Sequence, residues 1–434
     1  MKPQIISQYD SAHQFEPLLP RESLLQPLLE KGSDLARAGV ALASSLSASP
    51  RSDIRALLRS MNSYYTNRME GDSTRPSEIE AALQRKFSAD TDLARKQRLA
   101  VAHIETELEL ESEVDRRRAA GEDVVSWLYT TEALELMHLK LFGGLTEVDL
   151  RLVDGSLLVP GQVRTRGVAV GVHEAPTAAS LHLFLGRWTS FYQRQRRGDA
   201  AVTAAAAAHH RLAWIHPFED GNGRVARLQQ HLLFYAMGIA DGLWSPLRGF
   251  ARSEERYKGL LRAADEHRHG DMDGRGNLTE KGLIAWMDYV LDTCLDQVAF
   301  MRQQLKLDGM RERLAAALTF EEAHLKTGVR IEALGVLHYL FMTQMELPRA
   351  AFKDMMNLGD RTATSTLSAL LKQGYLATDS PYGPVRFAIP RHALRFLLPA
   401  LWPEAEQDAE QMAAARKEVT AIPAARAKAT PSSR

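Results

Sequence analysis

Apolar positions along this chain recur mostly at helical spacing. Ile54, Leu57, Leu58, Met61 and Tyr65 fall on one face of a helix, and Gly71 suits a position just beyond its end. Pro76 opens a second helix that runs through Ile79, Leu83 and Phe87. From Ala201 to Trp214 alanine dominates and neither Gly nor Pro occurs, which predicts a helix ending near His216-Pro217. Val225, Leu228, Leu232 and Met237 then predict another helix starting at about Gly223. Between Pro160 and Gly171, β-branched residues around a Gly predict a hairpin in otherwise helical surroundings. After Leu318 the elements shorten. Helices are predicted at Ile331 to Met342, near Arg349 to Met356 and from Arg361 to Lys372. Strands follow at Tyr375 to Thr378 and Val385 to Ile389, across a Ser380-Pro381-Tyr382-Gly383-Pro384 turn.

The pattern makes the fold class mainly α and divides the chain four ways: an N-terminal helical region over 1–118, a long helical core over 119–305, a small domain over 320–400, and a tail over 404–434. The three helices and two-stranded ribbon of 320–400 resemble a winged helix-turn-helix. The tail, poor in large apolar residues, reads as a helical extension that frays into disorder. At 434 residues with 45% hydrophobic and 25% charged positions, there is enough chain for a sizeable core. Lys+Arg and Asp+Glu are equal at 54 each, which removes any whole-chain bias toward nucleic acid or membrane. The one cysteine, Cys294, sits among Trp286, Val290, Leu291, Leu295 and Val298, as a buried thiol would, and excludes an intrachain disulfide framework. Met1 to Pro20 lacks an apolar signal core and no apolar run reaches membrane-spanning length, so the expected location is cytoplasmic, with no membrane partner.

The chemistry concentrates in Ile215-His216-Pro217-Phe218-Glu219-Asp220-Gly221-Asn222-Gly223-Arg224-Val225-Ala226-Arg227. A helix that starts inside this run leaves free backbone N–H groups and the positive end of its dipole beside the loop, which together form an anion site. Arg224 and Arg227, three residues apart, add fixed positive charge. Asp220 can hold a Mg²⁺ whose other ligands are phosphate oxygens and water. His216 can be neutral near pH 7 and take a proton from a hydroxyl. The other histidines, His209, His210, His267 and His269, have no partner at zinc spacing.

In residue type and spacing this run resembles the Fic family signature, from His216 and Phe218 through Asp220 and Gly221-Asn222-Gly223-Arg224 to Arg227. The resemblance implies a Fic helical core with a β-hairpin flap, and transfer of AMP from ATP to a Ser, Thr or Tyr hydroxyl of a target protein with release of pyrophosphate. It makes His216 the general base, Phe218 a buried anchor and Asp220 the Mg²⁺ ligand. The amides of Gly221 to Arg224 become the anion hole, Asn222 a contact of the α-phosphate, and Arg224 and Arg227 the grip on the outer phosphates. Relatives also transfer UMP or phosphocholine or act as kinases, and the unaltered Gly-Asn-Gly-Arg loop favours AMP.

Thr66-Asn67-Arg68-Met69-Glu70-Gly71 resembles the family's inhibitory motif, which would pair Glu70 with Arg227 in place of the γ-phosphate. Residues 160–171 resemble the flap on which the target protein docks by strand addition. Tyr257 resembles the aromatic of the adenine pocket, and Asn277 is a further candidate contact of the nucleotide. Two alternatives stay open: the reverse reaction, with Glu70 positioning a water to remove AMP, and a nucleotide-sensing regulator whose winged helix presents Arg361, Thr362, Thr364, Ser365 and Lys372 to DNA. From His324 to His392 the balance is eight Lys/Arg against five Asp/Glu, or +3. So thin a basic surplus favours target docking or homodimer formation over duplex binding.

Overall fold

The computed structural model describes residues 8–45, 48–170, 173–195, 198–305 and 309–401. The expected tail over 404–434 and Gly171 of the expected flap lie outside them. Two compact units result, Met1–Leu305 and Lys306–Arg434. The first therefore joins the N-terminal helices to the core, where the sequence suggested two regions.

Mainly helical as expected, the first unit contains α1 (Glu22–Ser44), α2 (Ala48–Met69), α3 (Pro76–Leu83), α4 (Thr91–Ala119), α5 (Val124–Leu128) and α6 (Thr131–Phe142). A short antiparallel ribbon follows, β1 (Ala169–Val170) with β2 (His173–Glu174). Next come α7 (Leu181–Tyr192), α8 (Gly198–Ile215), α9 (Asn222–Ala236), α10 (Leu247–Arg252), α11 (Glu254–Asp265) and α12 (Glu280–Gln304). Helix α3 stops at Leu83, short of the predicted Phe87, because Arg85 turns the chain at φ +60° and leaves Phe87 exposed.

Helix α8 is the spine of this unit, packed by α1, α7, α9 and α12. Its alanines explain how. Ala204 to Ala208 are fully buried, and their short side chains let Trp286 of α12 and Trp188 of α7 reach the helix backbone. The two indole N–H groups donate to the Ala206 and Ala208 carbonyls at 2.7 and 3.1 Å. The chain ahead of α1 is pinned to the same spine. Phe15 packs on Phe184 and Trp214, while the buried Arg211 donates to the Pro17 carbonyl at 2.7 Å. Helix α2 lies against α4 and α10 and touches α9, which brings its C-terminal turn to the loop between α8 and α9.

The second unit contains α13 (Met310–Phe320), α14 (Leu334–Thr343), β3 (Glu346–Leu347), α15 (Arg349–Met355), α16 (Asp360–Gln373), β4 (Leu376–Ala377), β5 (Val385–Phe387) and α17 (Leu394–Leu397). Its three strands form an antiparallel sheet in the order β3-β5-β4. The strand β3, two residues between helices, was not legible as alternation. Leu337, Leu340, Phe352, Leu370 and Tyr375 are among its fully buried residues around α14 to α16.

Candidate active site

The site grows from the turn that joins α8 to α9. His216 follows the last residue of α8 with φ +52°, a left-handed backbone that costs a non-glycine residue roughly 1 kcal/mol and persists only where neighbours impose it. Arg164 imposes it. This residue is 3% exposed, and its guanidinium donates to the carbonyls of His216 at 2.8 Å, Arg166 at 2.7 Å and Pro176 at 2.6 Å. Its own N–H donates to the Pro217 carbonyl at 2.9 Å. Phe218 is fully buried and stacks on His138, with centroids 4.1 Å apart. His138 in turn lies 3.2 Å from the Asp220 carbonyl and accepts the Gly161 N–H at 2.8 Å. Neither Arg164 nor His138 was expected, since one Arg in a Gly-flanked segment and one His on an apolar helix carry no sequence signal.

Gly221 starts α9 from φ +79°, and an added Cβ would stand 2.4 Å from the Phe142 ring. No other residue fits there. The first N–H groups of α9, from Asn222 onward, have no carbonyl one turn back to receive them, so they face outward as donors. The Asn222 side chain, which also lines the cleft, braces the loop: its amide N–H donates to the Phe218 carbonyl at 2.8 Å and its oxygen accepts the Phe218 N–H at 2.9 Å.

Beside this turn lies a cleft of ≈ 930 Å³, lined in part by Glu70, His173, His216, Gly223, Arg227 and Tyr257. Burial pushes the His216 imidazole down to about 4, helped by the charges of His173 and Arg164, so the ring is neutral at pH 7. The backbone at Ala213 works against this lowering, and a neutral imidazole keeps one ring nitrogen able to accept a proton. Asp220 is exposed on the loop, with one carboxylate oxygen accepting the Gly221 N–H at 2.6 Å.

Arg227 is enclosed by the end of α2. Its Nε donates to Thr66 Oγ1 at 2.8 Å and its Nη2 to Glu70 Oε1 at 2.5 Å. Desolvation alone would raise the Glu70 carboxyl, but Arg227 and then Arg224 bring it below its ordinary value. Gly223 makes this approach feasible, since a Cβ there would meet Glu70 Oε1 at 2.4 Å. The Glu70 carboxylate therefore lies against Gly223 at the start of α9, and the pair foreseen between Glu70 and Arg227 is formed.

Two predicted contacts, Arg224 and Asn277, fall elsewhere. Arg224, expected to grip outer phosphates, is buried under α2, donates to Asn67 Oδ1 at 3.0 Å and pairs with Asp72; it is absent from the described cleft lining. Tyr257 does line the cleft, 4% exposed with its ring packed on Phe250 and Trp286. Its hydroxyl lies 2.8 Å from His209 and hydrogen-bonds Arg227. Asn277 borders a separate groove with His13 and Arg21, because its carbonyl is tied to the Arg268 N–H and its amide points to the His13 carbonyl. The hairpin is also displaced. Its paired residues are 169–170 and 173–174, while 160–168 run as irregular chain, clamped to the loop by Arg164 and by Arg166, which pairs with Glu219.

The site thus sets a neutral histidine on one side of a helix-loop-helix and the uncapped N–H groups of a helix start on the other. Residues 128–234 match the model of the Fic/DOC family. Over 107 residues it is 32% identical to "Protein adenylyltransferase Fic" of Drosophila ananassae and to that of Drosophila melanogaster. The match covers 24% of this chain and 20% and 21% of theirs, so the chain matches about a fifth of the length of these relatives. A Fic family protein of known structure from Desulfovibrio desulfuricans G20 is similar at 16% identity and a TM-score of 0.49, over 86% of this chain and 98% of that one. Fic-1 (aa134–508) from C. elegans is similar at 16% identity and 0.44, over 65% and 72%. At those scores neither likeness carries the assignment. No helix among the described residues is long and apolar enough to cross a membrane.

Proposed function

We propose that the chain is a protein adenylyltransferase that moves AMP from ATP to a hydroxyl side chain of a target protein, and that Glu70 holds it in check. The observation that carries the reading is the Glu70 carboxylate seated on Arg227 at the N-terminus of α9, where the outer phosphate of a nucleotide belongs. With Glu70 withdrawn, the triphosphate lies along the α9 N–H groups and Arg227. The target hydroxyl gives its proton to the free nitrogen of His216, its oxygen bonds to the α-phosphorus, and the α–β bridging bond breaks to release pyrophosphate. Asp220 fits a Mg²⁺, because it offers a single exposed carboxylate, the sparse protein ligation that this ion accepts when phosphates and water complete its shell. Bound there, the ion would neutralise charge on the phosphate oxygens.

The target would dock along the paired residues 169–170 and 173–174 rather than over all of 160–171. We read the second unit as a winged helix that serves target docking or homodimer contact. Arg361, Thr364, Ser365 and Lys372 are exposed on α16, but salt-dependent duplex binding lost in Arg361→Ala is needed before DNA is counted as a partner.

The test is α-labelled ATP with Mg²⁺, added to wild type, Glu70→Gly and Glu70→Gly/His216→Ala, with label counted on the chain and on host-cell protein. Label that rises in Glu70→Gly and vanishes in the double variant supports transfer under restraint. Bound ATP with no label in any of them refutes it, and release of AMP from a pre-modified protein, lost in Glu70→Gly, would establish the reverse reaction instead.

A further inference from the structure

One turn beyond Arg227 on α9, the protein buries a second charged cluster that phosphate handling does not use. Glu107 and Glu111 stand one turn apart on α4 and His231 faces them from α9, all three no more than 3% exposed. One donor atom from each lies within 4.8 Å of the others. His231 Nε2 is 2.9 Å from Glu111 Oε1 and 3.5 Å from Glu107 Oε1. Two residues of α2 buttress the carboxylates from outside: Asn62 donates to Glu107 Oε1 at 2.8 Å, and Arg59 to Glu111 Oε2 at 2.6 Å.

His103, a turn before Glu107 on α4, supplies the independent observation. It is 1% exposed, neither ring nitrogen has a hydrogen-bond partner, and Nδ1 stands 3.8 Å from Glu107 Oε2. His231 Nδ1 is likewise unpartnered. A buried imidazole with no partner forfeits roughly 1–3 kcal/mol, a cost that a core merely tolerating polar groups would avoid.

We propose that Glu107, Glu111 and His231, completed by His103, bind a divalent transition-metal ion that ties α4 to α9 and, through Asn62 and Arg59, anchors α2. The donors are imidazole nitrogen and carboxylate oxygen with no sulfur, a set that suits Zn²⁺, Co²⁺, Mn²⁺ or Fe²⁺ better than Mg²⁺ or Ca²⁺. Ligation needs a bare Nε2 on His231, so the proton now directed at Glu111 leaves to solvent as the metal–nitrogen bond forms. His103 already offers a lone pair. The ion would sit under the helix that carries Thr66 and Glu70, so its presence would stiffen the restraint; that consequence rests on the proposed function, whereas the site itself does not.

The experiment uses the full chain carrying Asp220→Asn, to remove the carboxylate offered to a cation on the loop, stripped of metal with a chelator. Co²⁺ is titrated in and its visible d–d bands are followed, then Zn²⁺ by calorimetry in weak buffer to count released protons. The expected result is about one equivalent per chain with a rise in Tm, affinity at least about 100-fold lower in Glu107→Gln, and about 10-fold lower in His103→Gln. Equal binding with and without Glu107→Gln overturns the proposal and makes the cluster a proton-sharing core network. Should Glu107→Gln fail to fold, X-ray absorption of the Co²⁺ form decides: imidazole scattering from two ligands supports the site, and a water-like oxygen shell overturns it. None of these readings depends on AMP transfer.

Discussion

Glu70→Gly tests how much restraint one carboxylate exerts. The substitution deletes a charge-assisted hydrogen bond of 2.5 Å to Arg227, and bonds of that kind contribute about 1.5–3 kcal/mol when dry. This one is not dry. The Glu70 side chain is 32% exposed while that of Arg227 is 3% exposed, so water screens one partner and a working value of about 1–2 kcal/mol is appropriate. At 1.4 kcal/mol per tenfold, release of Arg227 should raise labelling by α-labelled ATP roughly 5- to 30-fold. Arg227 should stay in place, because Thr66 and Tyr257 still bind it. The loss of Glu should cost little stability, since residue 70 lies one position past the end of α2 and just before Gly71, which already turns the chain at φ +83°. Equal labelling of wild type and Glu70→Gly, with ATP bound to both, would refute the reasoning. Glu70→Gln, which keeps the shape but not the charge, should fall between them.

Arg164→Ala should lower kcat at least about tenfold with ATP affinity nearly unchanged, because three carbonyls around His216 lose their donor; a change confined to ATP affinity would contradict that role. Gly221→Ala combines φ +79° with a 2.4 Å approach to Phe142 and should cost about 2 kcal/mol or more, read as a fall in Tm. In Glu70→Gly protein the pH profile of transfer should stay flat through pH 6.5 and fall only toward about 4, since burial lowers His216 to that range; a drop centred near 6.5 would show an ordinary exposed base. Stability should decline as pH falls from about 6.5 toward 4. His103, His138, His209, His210 and His216 all have lowered folded values, so each is easier to protonate unfolded; Glu107 and His231, both raised, act in the opposite sense but are fewer.

The sequence was most informative where one local motif carries its own geometry. The helices on either side of 216–221 follow from alanine content, 3.6-residue spacing and a glycine break, and Glu70 was found because a short motif fixes its distance from Thr66. What stayed hidden depends on residues far apart in the chain. Arg224 looked like a phosphate ligand because it is basic and beside Arg227, but Asn67 and Asp72, more than 150 positions earlier, capture it. Asn222 points back at Phe218 through a hydrogen-bond ring that spacing alone does not reveal. Asn277, a candidate nucleotide contact, is instead held by the chain ahead of α1. The ribbon was misplaced by several residues because β-branched content marks extended chain without saying where two extended segments begin to pair.

The left-handed backbone at His216 bears on how an inactive control should be built. His216→Ala deletes the base and, at the same time, asks a residue with an ordinary Cβ to hold φ +52°, a conformation that Asn adopts with far less penalty. Alanine could relax the peptide toward negative φ and shift the carbonyl that Arg164 grips, so lost activity would report a moved loop as well as a missing proton acceptor. His216→Asn keeps the turn and removes only the chemistry. A difference in nucleotide affinity between the two variants would measure how far the backbone at that position, rather than the imidazole, shapes the mouth of the cleft.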